Sequence, residues 1–379
     1  MAMLFWLSFG VVVYIYAGYP LLVWLLGRLW GRPVRKRQTQ PSVSIVIAAY
    51  NEEAAIARTI QNKLDLDYPK EKLEIIVVSD GSTDRTDKLA RQFAPLGVVV
   101  LRQQPRNGKS AALNLAAEHA RGDVLVFSDA NSIYEATAVR HLVANLTDPS
   151  VGYVTGTLAY LSSTQSMTAD GCGLYMKYEN FVRRSETRTG SIVGVNGGID
   201  AMRRSLYQAL KPDDLPDLVL PLSVVERGYR VVYEPSAMLA ETPLGSPRDE
   251  YRMRVRVSLR ALWTVVEMRN LLNVRRFGFY ALQLVSHKLL RYLAFAFMLL
   301  LYGASLWLWR VTPLYGFALA VQTVGVLLAV VGFYAARNNA PNRLFAVPFY
   351  FVLVNCAALH ACWRFLNRER PRVWTPRLG

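Results

Sequence analysis

Pro41-Ser-Val-Ser-Ile-Val-Ile-Ala-Ala-Tyr50-Asn51-Glu52-Glu53 is the stretch on which the fold turns. Val43–Ala49 is short, β-branched and almost wholly apolar, the pattern of a strand buried on both faces of a parallel sheet, and it stops abruptly in polar groups. Working outward, Leu73–Ser79, Val98–Arg102 and Asp123–Ser128 repeat the pattern. Helical stretches near Glu52–Leu64, Asp84–Phe93, Ser110–Ala120 and Ala136–Asn145 alternate with them. Alternation sustained from Val43 to about Ala240 predicts a doubly wound, mostly parallel α/β sheet. In such sheets ligands bind beyond the carboxyl ends of the strands, which locates the chemistry before any motif is identified.

Those ends are polar in every case: Tyr50-Asn51-Glu52-Glu53, then Ser79-Asp80-Gly81-Ser82-Thr83-Asp84, then Arg106-Asn107-Gly108-Lys109-Ser110, then Ser128-Asp129-Ala130-Asn131. A cleft lined this way suits a sugar nucleotide and a divalent cation. Each piece alone has a plainer reading. Asp80–Asp84 suits a turn and a helix N-cap, Asp129–Asn131 a strand-end turn, and Lys109 an exposed helix start. Their joint occurrence at successive strand ends favours a site. Gly108-Lys109-Ser110 is not a P-loop: that loop needs a glycine where Gln103 stands, and Pro105 interrupts it. No Gly-x-Gly-x-x-Gly follows the first strand, which argues against a dinucleotide fold.

The chain has 379 residues and a formal charge of +16. The charge gathers beside apolar runs, at Arg28, Arg32, Arg35, Lys36 and Arg37 and again from Arg364 to Arg377, which points to membrane lipids and not nucleic acid. Cys172, Cys356 and Cys362 form neither a disulfide framework nor a metal-type spacing. Leu4–Leu26 is long and apolar enough to span a bilayer. Basic residues follow it instead of preceding it, so it reads as a retained anchor with Arg28–Arg37 in the cytosol. The expected organisation is an anchor at 1–31, an α/β domain at 42–240, Arg-punctuated amphipathic helices on the membrane surface at 241–291, and spans with a basic tail at 292–379. Tyr292–Trp309, Leu314–Ala335 and Phe345–Trp363 are the C-terminal span candidates. With all three crossing, the Arg-rich tail falls outside, against the positive-inside rule. Pro348 and Asn355 make Phe345–Trp363 the run that is either a last span or a re-entrant or interfacial element.

Taken together, these residues resemble the inverting family 2 glycosyltransferases with the GT-A fold, most closely their membrane-bound branch of cellulose, hyaluronan and poly-N-acetylglucosamine synthases. The likeness covers about Pro41 to Trp263. Pro41–Glu53 looks like the family's opening strand, Val78-Ser-Asp-Gly-Ser-Thr-Asp84 like its second motif, and Asn107-Gly-Lys-Ser-Ala-Ala-Leu-Asn114 like its third. The resemblance implies that Tyr50, Glu52 and Asp80 hold the uridine of a UDP-sugar and that Lys109 sits near the nucleotide. Asp129-Ala130-Asn131 takes the place of the Asp-x-Asp element that binds Mg²⁺ or Mn²⁺, with an amide in place of the second acid. Alignment on Glu226-Arg-Gly-Tyr-Arg230 puts the catalytic base on Asp217, with Pro216 replacing the first acid of the pair and Asp213 and Asp214 as neighbouring rivals. Asn196-Gly197-Gly198 is similar to the acceptor-side loop, a tight turn being the equal alternative. Of the Gln-x-x-Arg-Trp element only an arginine remains, at Met253-Arg254-Val255-Arg256-Val257. Arg254 and Arg256 then face either the donor diphosphate or lipid phosphates.

The function implied is single-displacement transfer, with inversion, from a UDP-sugar to a growing β-linked surface polysaccharide. The expected setting is a bacterial inner membrane, with the catalytic domain in the cytosol. Two alternatives remain open at this level: transfer of one sugar to a lipid-linked acceptor, and a catalytically silent nucleotide-sugar-binding subunit. The sugar, the acceptor and any partner subunit are not encoded in these motifs.

Overall fold

A computed structural model describes residues 1–160, 167–241, 246–337 and 343–370. Described residues within 27–161 and 183–242 form one compact unit, and those within 1–26, 162–182 and 243–370 form another. Each unit is discontinuous in sequence. The first part of the helix Met167–Thr189, through Val182, belongs with the apolar unit.

The α/β unit is built on an eight-stranded sheet: β1 Val43–Ala49, β2 Leu73–Asp80, β3 Val99–Gln103, β4 Val124–Asp129, β5 Ile133–Tyr134, β6 Val151–Tyr160, β7 Asp200–Arg203 and β8 Arg230–Glu241, in the order β3-β2-β1-β4-β7-β6-β8-β5. The first four strands are parallel, as their continuous apolar sequences require. In the rest, β6 and β8 are also parallel, and three antiparallel pairs are added. β7 runs antiparallel to β4 and β6, and β5 antiparallel to β8, so the sheet is mixed. Ile45, Ile47, Val77 and Val126 are fully buried in the main core, where Ile56 and Ile60 of the helix Ile56–Leu64 cover them. That helix also fixes the segment after β4. Thr59 Oγ1 donates to Ala130 O at 2.7 Å, and Lys63 Nζ donates to Ser132 O at 2.6 Å. Asn62 pairs with both backbone groups of Tyr134, at 2.9 and 2.8 Å. Lys63 is wholly buried, and burial pushes its pKa well below the usual lysine value against the pull of Glu241.

In the apolar unit, three described helices are long and apolar enough to cross a membrane: Ala2–Leu29, Pro313–Arg337 and Leu344–Leu366. A fourth candidate is the pair Phe279–Tyr292 and Ala294–Leu308, bent by 59°. Exposed Trp307, Phe317, Leu327 and Val331 suit a lipid environment, since apolar surface of this extent is rare on soluble proteins. Phe5 packs edge-on against Tyr315, with ring centroids 4.8 Å apart, among Leu301, Ala304 and Leu308. Of the two readings left open for Phe345–Trp363, its length and apolar composition fit a span. That run is one helix, Arg343–Leu366, with Pro348 inside it. The bend of the fourth candidate sits at Leu293. Within the stretch expected to lie on the membrane surface, Pro247–Glu267 is one helix, whose Val255 and Leu259 pack with Ala357 and Ala361. The part of the basic tail beyond Arg370 lies outside the described residues.

Candidate active site

Strand register assembles the site. β1 sets Ala49 opposite Ser79 and Ala48 opposite Asp129, so β1, β2 and β4 end level and Tyr50, Asp80 and Asp129 emerge along one edge. β7 lies antiparallel to β4 with Phe127 opposite Asp200. Its amino end, led in by Asn196-Gly197-Gly198, therefore reaches the same edge. The antiparallel strand thus brings a second segment to a cleft that parallel strands alone would line from one side.

Lys109 opens the helix Lys109–His119 and joins two of the predicted acids. Its Nζ donates to Asp129 Oδ1 at 2.6 Å and stands 3.9 Å from Asp217 Oδ1. Burial opposes the charged form, but Asp129 and Asp217 prevail and raise the lysine pKa above its ordinary value. Asp217 lies in the first turn of the helix Pro216–Glu226 with its side chain 37% exposed, open enough to meet a ligand. Of its rivals, Asp214 is buried and turns its carboxylate back on Lys211 N at 2.8 Å, and Asp213 lies in the turn just before it.

Gly197 and Gly198 have φ of +70° and +74°, and a Cβ there would stand 2.8 Å from Asp217 Oδ2 and 3.3 Å from Asp129 Oδ2 respectively. Only glycine takes this backbone so close to both acids without strain. Asn196 turns its amide nitrogen inward to Gly156 O at 2.5 Å, and its Oδ1 is buried with no hydrogen bond among the described residues.

Asp80 is bound by the loop that precedes Lys109. It is 2% exposed. Its Oδ1 accepts from Gln103 Nε2 at 2.6 Å, Asn107 N at 2.8 Å and Gly108 N at 3.1 Å, and its Oδ2 from Gly108 N at 3.0 Å. Both oxygens organise the loop that delivers Lys109. Arg106 lies 3.6 Å over the Tyr50 ring as a cation–π pair and 3.5 Å from Asp80. The Glu52 N–H donates to Thr86 Oγ1 at 2.8 Å, Asn51 Oδ1 accepts from Thr83 N at 2.9 Å, and Asp84 caps Thr86 N at 2.9 Å. Asp84 also accepts from Glu53 N at 3.0 Å, within a lattice that locks the ends of β1 and β2 together.

Asp200 was not among the expected site residues. It is 1% exposed, and neither carboxylate oxygen has a partner of ordinary hydrogen-bond geometry, although the Thr155 and Tyr153 hydroxyls stand beside it. Burial, followed by the nearby Asp217 charge, pushes its pKa up to about 7, while those hydroxyls and Lys109 pull the other way.

Among the described residues no three Asp, Glu, His or Cys side chains gather into a self-sufficient metal centre. Asp129 and the half-buried Asn131 offer one carboxylate and one amide oxygen. That fits Mg²⁺ or Mn²⁺, which take few ligands from protein when phosphate oxygens and waters complete the shell. Arg254 and Arg256 belong to the apolar unit. There Arg254 is committed to Glu250 at 2.8 Å and to the Tyr350 hydroxyl at 2.5 Å, while Arg256 is half-buried. A separate cavity of about 530 Å³ opens by Pro41, Val124 and Arg203, at the amino ends of β1 and β4. The Arg203 guanidinium is spent there on the Val151, Leu146 and Asp148 carbonyls.

Residues 44–211 match the model of glycosyl transferase family 2. A probable glycosyltransferase YdaM of Bacillus subtilis is 30% identical over 227 residues, 57% of this chain and 54% of that one. A poly-beta-1,6-N-acetyl-D-glucosamine synthase of Staphylococcus aureus is 29% identical over 202 residues, 52% of this chain and 48% of that one. A beta-monoglucosyldiacylglycerol synthase of Synechocystis is 30% identical over 174 residues, 45% of this chain and 36% of that one. The chain spans about half the length of the first two relatives and about a third of the last. Among solved structures, the mannosyltransferase PcManGT of Pyrobaculum calidifontis, in complex with GDP-Man and Mn²⁺, superposes with a TM-score of 0.69. The match covers 97% of this chain and 100% of that one at 21% identity, a likeness of fold.

Proposed function

Because the chain carries a family 2 glycosyltransferase domain, we propose that it moves a sugar with inversion from a UDP-sugar to a growing β-linked surface polysaccharide. The proposed setting is a bacterial inner membrane with the α/β unit in the cytosol, and three apolar helices support membrane residence. The observation that carries the reading is the Lys109 ammonium between Asp129 and Asp217, against the Gly197-Gly198 backbone.

Asp217 takes the proton from the acceptor hydroxyl as that oxygen attacks the anomeric carbon. The bond from the anomeric carbon to the donor phosphate breaks in the same step, so the configuration inverts and the nucleoside diphosphate leaves with an added negative charge. Lys109 holds positive charge beside that leaving group. Asp129 and the Asn131 amide would hold a Mg²⁺ or Mn²⁺ ion, which supplies further neutralisation of the diphosphate. Asn196, Gly197 and Gly198 form the acceptor side, where a bare backbone admits a sugar ring. Tyr50 and Glu52 flank the nucleoside, with Asp80 acting on it through the loop that it orders.

Transfer of a single sugar to a lipid-linked acceptor is the second reading. The loss of the Gln and Trp around Arg254 and Arg256 favours it over long processive synthesis.

The test is divalent-cation-dependent release of nucleoside diphosphate by purified protein, across a panel of UDP- and GDP-sugars, followed by sizing of radiolabelled product. A UDP-sugar is expected to turn over, with long products for the first reading and one-sugar products for the second. Absence of turnover with every donor, under conditions where the protein is folded, would overturn both.

A further inference from the structure

We propose that Asn114, assisted by Ser110, is a positioning residue for the base: it fixes the irregular segment Tyr207–Leu215 that leads to Asp217. The inference rests on Asp217 acting as the base in the transfer proposed above.

Asn114 closes the motif Asn107–Asn114 but reaches neither Asp129 nor Asp217. Instead it uses its whole amide on one short segment. Its Oδ1 accepts from the Tyr207 hydroxyl at 2.7 Å and from Leu210 N at 2.8 Å, and its Nδ2 donates to Leu210 O at 2.8 Å. Ser110 lies four residues earlier, on the same helix face, and donates through Oγ to Asp214 O at 3.1 Å. The segment held in this way has no helix or strand of its own, and the 3₁₀ turn Arg204–Leu206 and the helix Pro216–Glu226 bound it. Packing of Leu218, Leu220, Leu222 and Val224 holds the body of that helix, and the segment before it sets how its first turn enters; Asp217 is its second residue.

The same helix, Lys109–His119, carries Lys109 at its first position, 3.9 Å from Asp217. One rigid element therefore holds both the cation that faces the base and the polar face that anchors the base's loop. Three hydrogen-bonded points on one helix thus tie the approach to Asp217 to the element that carries Lys109. The amide chemistry is specific. Two acceptor contacts and one donor contact match Asn, whereas Asp keeps the acceptors and sets a carboxylate against the Leu210 carbonyl. A misplacement of about 1 Å at a reacting group costs about 100-fold in rate.

The experiment compares N114A, N114D and Y207F, each alone and combined with D217N, in the full chain. Donor KM, kcat and the melting temperature are measured for each. N114A and N114D are expected to lower kcat about 10–100-fold and Y207F about 3–10-fold, with donor KM within about twofold of wild type. In the D217N background the same substitutions should cost nothing further, because the group they position is gone. Two results would overturn the proposal: a loss that persists undiminished on top of D217N, or a raised donor KM with kcat unchanged. Should N114A fail to fold, N114D and Y207F each alter one contact and decide the question. Wild-type transfer by D217N itself would instead remove Asp217 as the base, a distinct failure from that of Asn114.

Discussion

Lys109 donates to Asp129 across 2.6 Å while its Nζ stays 3.9 Å from Asp217. A single ammonium therefore balances the acid proposed to hold the cation and the acid proposed to take the proton. Removing it leaves two nearby carboxylates without their shared counter-charge, and K109M should lose about 10²–10³-fold in transfer rate. It should also melt at a lower temperature, because breaking one partner out of a largely buried ion pair is costly. Added Mn²⁺ should recover part of that melting temperature through Asp129. Recovery of the same size in the double variant K109M/D129N would show that the ion binds elsewhere.

Gly197→Ala tests the close approach of backbone to base. At φ +70° the new Cβ would stand 2.8 Å from Asp217 Oδ2, so either the loop or the carboxylate must move. The left-handed conformation alone costs about 1–2 kcal/mol for a residue with a Cβ. Displacing Asp217 should lower kcat about 10–100-fold. Calorimetric donor binding should change far less than turnover. Equal losses in both would place Gly197 on the donor side of the cleft.

The first half of the fold was legible because its strands are fully buried and say so in an unbroken apolar code. Val43–Ala49 matched its strand residue for residue, and the other three parallel strands shifted by about one position. The second half was less legible: β7 is four residues long and β5 only two, below the length at which periodicity distinguishes a strand, and the longer β6 and β8 mix polar with apolar residues. Asp200 was missed for that reason. Once β7 is seen to run antiparallel beside β4, its first residue must fall at the catalytic edge, but Ile199-Asp200-Ala201-Met202 gives no hint of direction. Asp80 was read from its place at the end of a strand, and it is the last residue of β2. What the sequence could not reveal is that the loop from Gln103 to Gly108 folds back and fills both carboxylate oxygens.

Asp80→Asn separates a loop-ordering role from direct donor contact. The carboxylate accepts from two backbone amides and one side-chain amide, and an Asn that keeps one acceptor oxygen presents an N–H to the others. Leaving buried donors unsatisfied costs about 1–3 kcal/mol. D80N should therefore melt clearly lower and lose turnover through Lys109, which this loop delivers. A variant with unchanged melting temperature and a large loss of donor affinity would return Asp80 to the nucleoside.

Asp200 makes stability depend on pH with a definite sign. Its carboxyl stays protonated in the folded chain up to about pH 7, because of burial and then of Asp217, whereas an unfolded aspartate ionises near 4. Between those values the folded chain binds the extra proton, so stability falls as pH rises through this window and levels off above it. About three pH units correspond to an upper bound of about 4 kcal/mol. Asp200→Asn removes the proton and with it the dependence. Its melting temperature relative to wild type should climb steadily from about pH 4 to about pH 8. Measuring both proteins in the same detergent across that range isolates the residue, since every other titrating group is common to the pair. A difference that stays flat with pH would mean that Asp200 is ionised in the folded chain. The Thr155 and Tyr153 hydroxyls and Lys109 would then outweigh its burial.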